Sequence, residues 1–196
     1  MLMSSQPKTY LTPEEYLAIE RRAEYKSEYL AGEMFAMVGA SRKHNLITVN
    51  ICVALAQQLK DRPCEVYASD MRLGVPTTDL YAYPDVVVAC NEPKFDDYHF
   101  DTLLNPILIV EVLSPSTASY DRTKKFGYYR KIESLAEYLL VAQDEYKIEQ
   151  YIKQPDGRWM LSDISSLEDT IELASTQSTL KLADVYAKVE LTEGRI

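Results

Sequence analysis

Residues 107–113, Ile-Leu-Ile-Val-Glu-Val-Leu, constrain this chain more than any other segment. An unbroken aliphatic run of this length, without polar alternation, is a strand buried on both faces. Such strands lie in sheets covered by helices on either side, which predicts an α/β fold, a mixed β-sheet core flanked by helices. One carboxylate, Glu111, stands near the middle of the run. Ionised, buried and alone it would be too costly to keep, so it must be protonated, ion-paired or bound to a cation.

A second β-branched strand is predicted at residues 85–89, and it opens with another acid, Asp85, directly after Pro84. If the two strands are neighbours, both carboxylates converge on one point, and oxygen donors there suit a hard divalent ion such as Mg²⁺. The alternative is that Glu111 pairs with a core arginine or lysine while Asp85 caps a turn. Spacing alone leaves both open.

A basic helix is expected over residues 119–132. At about 100° per residue, Arg122, Lys125, Phe126, Tyr129 and Ile132 share one stripe, with Lys124 opposite. The aromatic and aliphatic members turn that stripe toward the sheet, so Arg122 and Lys125 should point at the strand carrying Glu111. A cation beside two carboxylates and a metal can orient water and neutralise charge developing on a phosphoryl group. The rival reading of Lys125 is a plain ion pair with Glu111.

Around these elements the pattern predicts a helix from Thr12-Pro13-Glu14-Glu15 to about residue 23, an N-cap with proline and glutamate in the first turn. A hairpin over residues 26–38 should turn at Ala31-Gly32. The longest helix should run from Ser41 to about residue 61, with Leu46, Val49, Val53, Leu55 and Leu59 on its apolar face. Strands are expected at 65–68, 71–75, 138–143 and 147–153, a hairpin strand at Trp159, and a short helix near 182–186. Residues 91–106 read as a loop. The passage from 107 through the basic helix to 138 implies a parallel pair joined by a crossover. Residues 1–10 read as a flexible arm and 11–196 as one domain.

The net charge of −9 argues against a non-specific nucleic-acid coat but leaves room for an enzyme with acidic metal ligands. No secretory signal is evident, and no apolar run is long enough to span a bilayer. Three widely spaced cysteines (Cys52, Cys64, Cys90) read as ordinary thiols in a reducing cytoplasm. Gly-x-Ser-x-Gly, Walker and Rossmann patterns are absent.

Pro84-Asp85 followed by Glu111-Val112-Leu113 closing a buried strand resembles the signature of the PD-(D/E)XK nuclease superfamily. The fuller pattern resembles its Uma-type family of restriction endonucleases: Tyr-Pro-Asp-Val-Val-Val at 83–88, Ile-Val-Glu-Val-Leu-Ser-Pro-Ser-Thr at 109–117, Asp121-Arg122, Lys125, Tyr129, and Glu-Tyr-Leu-Leu-Val at 137–141. Further matches are Ser-Glu-Tyr-Leu at 27–30, Gly32-Glu33, and His44. The resemblance covers roughly residues 10–190. It implies a restriction-endonuclease-like core, Mg²⁺ or Mn²⁺, and hydrolysis of DNA phosphodiester bonds by an activated water. It makes Asp85, Glu111 and the backbone carbonyl of Val112 the metal ligands. The superfamily's lysine usually lies two residues beyond the glutamate, where this chain has Leu113; Lys125 from the next helix replaces it. Glu28 matches a family glutamate and would add a metal ligand or position water; the alternative is a surface hairpin residue. His44, one turn into the long helix beside Arg42 and Lys43, either meets a phosphate near the helix N-terminus or is structural. Arg122 and Tyr129 would line the site. A homodimer is compatible with cutting two strands. The rival functions are a nuclease-fold module without activity, in which Lys125 only neutralises Glu111, and a two-acid glycoside hydrolase, which an inward lysine and arginine suit less well.

Overall fold

In the computed structural model, which describes residues 10–191, both acid-bearing strands lie in one sheet. The N-terminal arm expected over residues 1–10 falls, but for Tyr10, outside the described residues. In chain order, α1 (Pro13–Glu20) leads into the hairpin β1 (Ser27–Leu30) and β2 (Glu33–Ala36), then α2 (Arg42–Leu59). Six strands follow: β3 (Cys64–Ala68), β4 (Arg72–Val75), β5 (Leu80–Ala82), β6 (Val86–Cys90), β7 (Thr102–Leu103) and β8 (Leu108–Leu113). A helical crossover consists of α3 (Ala118–Tyr120), a π-helical turn (Asp121–Lys125) and α4 (Phe126–Tyr129). It leads to β9 (Glu137–Ala142), β10 (Ile148–Lys153), β11 (Trp159–Ile164), β12 (Thr170–Leu173), β13 (Ser178–Lys181) and α5 (Leu182–Val185).

The main sheet has the order β11-β10-β9-β8-β6-β3. Its one parallel pair is β8 with β9, joined by the crossover as the sequence predicts, and β6 lies antiparallel to β8 with Val86 opposite Val110. A second sheet runs β2-β1-β5-β4-β7. β7 sits inside the stretch read as a loop, and β5 was not anticipated either. Both are too short for a period-2 signal and exist because β4 supplies the pairing edge.

Pleating divides the core in two. Leu108, Val110 and Val112 face α2, whose Ile47, Ile51, Leu55 and Leu59 cover that side of the sheet. Ile109 and Leu113 face the opposite way, toward Tyr129, Ile132 and the second sheet. By the same alternation Glu111 points to this second side. Of the stripe expected on α2, Leu55 and Leu59 are buried and Leu46 packs against the core, but Val49 and Val53 are about half exposed and Ile47 and Ile51 are buried in their place. A wheel of similar apolar residues ranks several faces equally, and the sheet selects the one at i, i+4 spacing. α1 also ends earlier than expected, at Glu20, whose carboxylate accepts hydrogen bonds from Ser27 N and Tyr83 Oη and so turns the chain inward.

The expectation of three thiols is corrected. Cys64 and Cys90 stand opposite each other in the β3–β6 register and form a disulfide, leaving Cys52 as the free cysteine. Only the strand pairing brings them together, so the cysteine count no longer argues for a reducing compartment. No helix among the described residues is long and apolar enough to cross a membrane. Closing a loop of 26 residues' separation should stabilise the fold by about 3 kcal/mol. Melting in the presence of a reductant should therefore occur roughly 6–12 °C lower; an unchanged melting temperature would show that the bridge contributes nothing.

Candidate active site

The chain passes from β5 in one sheet to β6 in the other through Tyr83-Pro84-Asp85, and the site forms at that crossing. Carried beyond Val86–Val110, the antiparallel register sets Asp85 beside Glu111 and Pro84 against Val112. Asp85 Oδ2 accepts from Val112 N at 2.7 Å, and Asp85 Oδ1 lies 2.6 Å from His44 Nε2. In a strand the N–H and C=O of one residue point to the same edge, so the Val112 carbonyl also faces this side. Pro84 has no N–H to offer it.

Four acidic side chains and one lysine meet here. Lys125 Nζ lies 2.9 Å from Glu28 Oε1, 3.0 Å from Glu111 Oε1 and 3.9 Å from Asp121 Oδ1. Tyr129 Oη donates to Glu111 Oε1 at 2.9 Å, and Glu28 Oε1 also accepts from Tyr83 N at 3.3 Å. Glu111, Asp121 and Lys125 are buried, while the Glu28 and Asp85 side chains retain 17% and 13% of their exposure. All five charged groups line one cavity of about 700 Å³, which residues 35–41 and Ser114, Ser116 and Thr117 also line.

Burial pushes the Glu111 carboxyl above the usual carboxylate range, and the neighbouring carboxylates Asp121, Asp85 and Glu28 add to the rise that Lys125 opposes. Burial also raises Asp121. For Lys125 burial works the other way, but Glu111, Glu28 and Asp121 outweigh it and keep the ammonium charged above its ordinary range. Desolvation holds the Tyr129 phenol neutral, so it serves as a hydrogen-bond donor to Glu111.

The structure brings together Asp85, Glu111, Lys125, Glu28, Tyr129 and His44. His44 lines the cavity with its Nε2 against the Asp85 carboxylate. One expectation is corrected. Arg122 points away and pairs with Glu149 at 2.8 Å. The cause is the π-helical turn, in which Phe126 N bonds to Asp121 O: one extra residue per turn rotates Arg122 off the stripe and brings Asp121 inward with Lys125. Asp121 was quoted in the family pattern, and an even 100° wheel already sets it about 20° from Ile132, at the edge of the inward stripe, but it was not counted among the inward residues.

Among the described residues no three His, Cys, Asp or Glu side chains form a ready-made metal cage. The donors nevertheless fit a hard divalent ion. Mg²⁺ is commonly held by one or two carboxylates and keeps several waters. Here two carboxylates and a backbone carbonyl without a proline N–H opposite share an accessible cavity, and the local excess of acid over Lys125 calls for positive charge.

A family model described as "Putative restriction endonuclease" (Uma2) matches residues 13–184. Two uncharacterized proteins of Synechocystis sp. (strain ATCC 27184 / PCC 6803 / Kazusa) are similar. One, sll1609, is 43% identical over 164 residues, covering 84% of this chain and 93% of the relative. The other, slr1290, is 37% identical over 182 residues, covering 93% and 94%. A crystal structure described as a putative nuclease belonging to DUF820 from Anabaena variabilis ATCC 29413 superposes with a TM-score of 0.75 at 18% identity, over 90% of this chain and 97% of that one, and so shares the fold. With the family model spanning both acid-bearing strands, the crossover and Lys125, the chain belongs to the Uma2 family of the restriction-endonuclease-like nucleases.

Proposed function

We propose that this protein is a divalent-metal-dependent endonuclease that hydrolyses DNA phosphodiester bonds. The observation that carries the reading is the meeting of Asp85 and Glu111 from adjacent strands beside a buried Lys125 in an accessible cavity. Asp85, Glu111 and the Val112 carbonyl would hold Mg²⁺ or Mn²⁺, which when bound supplies Lewis-acid polarisation of the phosphoryl oxygen and a more acidic water. Lys125 orients the attacking water and faces the negative charge that develops on the phosphoryl group. Tyr129 holds Glu111 in place through its hydroxyl, and His44 does the same for Asp85. Glu28 shares Lys125 and keeps the ammonium over the cavity when Glu111 turns to a cation.

The Lys125–Glu111 contact at 3.0 Å is also what an inactive module with a structural ion pair would contain. Two measurements separate the readings. Purified protein should nick or linearise plasmid DNA with Mg²⁺ or Mn²⁺ and not with EDTA, and Asp85→Ala and Glu111→Ala should each abolish cutting. Mg²⁺ well above its dissociation constant should also raise the melting temperature, since about 2.7 kcal/mol accrues at a hundredfold excess. Equal cutting by the Glu111→Ala protein, or no cutting and no shift with either metal, would end the proposal.

Tyr129→Phe should leave the carboxylate short of one donor. The loss of a hydrogen bond to a charged group costs about 1.5–3 kcal/mol, and the activity should fall through a weaker metal response rather than vanish. A metal titration of melting temperature checks it, and an unaltered midpoint would remove Tyr129 from the site.

A further inference from the structure

One rim of the cavity is unlike the rest of the surface. Residues 35–40, Phe-Ala-Met-Val-Gly-Ala, bear no charged or hydrogen-bonding side chain and all line the cavity. Phe35 is 50% exposed and Val38 90% exposed, so neither side chain is there to complete the core. Exposed apolar residues are unremarkable singly, but a contiguous lip beside a carboxylate-lined cleft marks a contact surface. The lip leaves β2, an edge strand, and runs straight into α2, whose first residues are the exposed Arg42 and the partly exposed Lys43. Arg42 follows the apolar ledge after Ser41, with Lys43 beside it in a loose 3.7 Å pair with Asp144. An apolar ledge next to cations matches the alternation of base and phosphate along a nucleic-acid strand.

Depth supplies the second half of the inference. The side chains of Glu111 and Lys125 are only 6% and 7% exposed, at the bottom of a cavity of about 700 Å³. That volume is in the range that encloses one nucleotide-sized ligand rather than a stretch of stacked duplex. A scissile phosphate reaches those groups when its nucleotide leaves the stack.

Building on the proposed nuclease activity, we infer that this site takes DNA with the nucleotide next to the scissile phosphate unpaired, its base stacked on the lip formed by Phe35 and Val38. Phe35 supplies the ring face and Val38 the adjoining apolar contact, while Arg42 and Lys43 meet the neighbouring phosphate. The lip residues are specificity determinants and do not touch the reacting atoms.

The test is fluorescence anisotropy of the intact protein in EDTA with short labelled DNA, either single-stranded, fully paired, or paired with a central mismatch. Unpaired and mismatched DNA should bind on the order of 10-fold tighter than the fully paired form. Phe35→Ala should weaken unpaired binding on the order of 10-fold, the scale of one lost base stack, without changing the affinity for paired DNA. Val38→Ser, at a position that contributes nothing to the core, should act in the same direction with an unchanged melting temperature. Equal affinity for the three DNAs, or an equal loss on all of them in the variants, overturns the inference. So does a change of oligomeric mass in Phe35→Ala with DNA affinity intact, which would make the lip a protein contact. Metal-dependent plasmid cutting by a parent protein that binds the three DNAs equally would sink this inference and leave the nuclease reading standing. Absence of any metal-dependent cutting would sink the nuclease reading itself.

Discussion

Lys125→Ala should lower folding stability by about 3–5 kcal/mol, the usual cost of stranding buried charge by removing its partner. At this chain length that corresponds to a melting temperature roughly 10 °C lower. The size of the effect follows from the number of groups left behind. Glu28, Glu111 and Asp121 all face the ammonium, and among the described residues no other cation pairs with them. Burial already raises Glu111 and Asp121, so without Lys125 they would take up protons, and the variant should be most unstable at alkaline pH. Excess Mg²⁺ should restore part of the loss, because a bound cation does the neutralising work that the lysine did. Thermal melts with and without Mg²⁺ check this. A variant within a degree or two of the parent would show that the three acids do not depend on Lys125.

Glu111→Gln should move stability and activity in opposite directions. Cutting should be lost, since the amide keeps the shape of the carboxyl but gives up the charge that holds the metal. Stability should rise, and the sign follows from linkage. Folding raises the Glu111 pKa above its ordinary 4.5. Above that value the unfolded chain has released the proton while the folded protein still retains it, so stability falls as pH climbs through the raised value. Glutamine removes that penalty. Its advantage should be absent near pH 4.5 and reach several degrees of melting temperature at alkaline pH. Lys125 tolerates the change because Glu28 remains at 2.9 Å, and Tyr129 Oη keeps an acceptor. Mg²⁺ should stabilise the parent and leave this variant unmoved. Sites that bind metal commonly hold such strain, and removing it commonly stabilises at the expense of function. A glutamine variant less stable than the parent at alkaline pH would show that the ionised Glu111–Lys125 pair is a net stabiliser.

The main-sheet strands were legible because burial writes itself into local composition. Residues 107–113 and 85–89 could not be surface strands, and an acid inside the first had to find a cation or a proton. The hairpin turn at Ala31-Gly32 was legible for a similar local reason, since both residues adopt positive φ, and glycine does so without strain. β5 and β7 were invisible, being two or three residues long and ordered by a neighbour rather than by their own pattern. The buried face of α2 was misread at Val49 and Val53 because helical spacing offered several apolar stripes, and only contact with β6, β8 and β9 chooses among them.

By itself the sequence determined that two interior strands would each carry a carboxylate, and that a basic helix would follow the second. Those are consequences of side-chain periodicity, which acts over a few residues. Tertiary structure alone decided that Asp85 and Glu111 stand side by side, that His44 and Glu28 join them from distant elements, and that Cys64 meets Cys90. It also decided that a π-helical turn would trade Arg122 for Asp121 at the site. Register and turn geometry are set by the sum of all contacts in the packed molecule, and no local window of residues contains that sum.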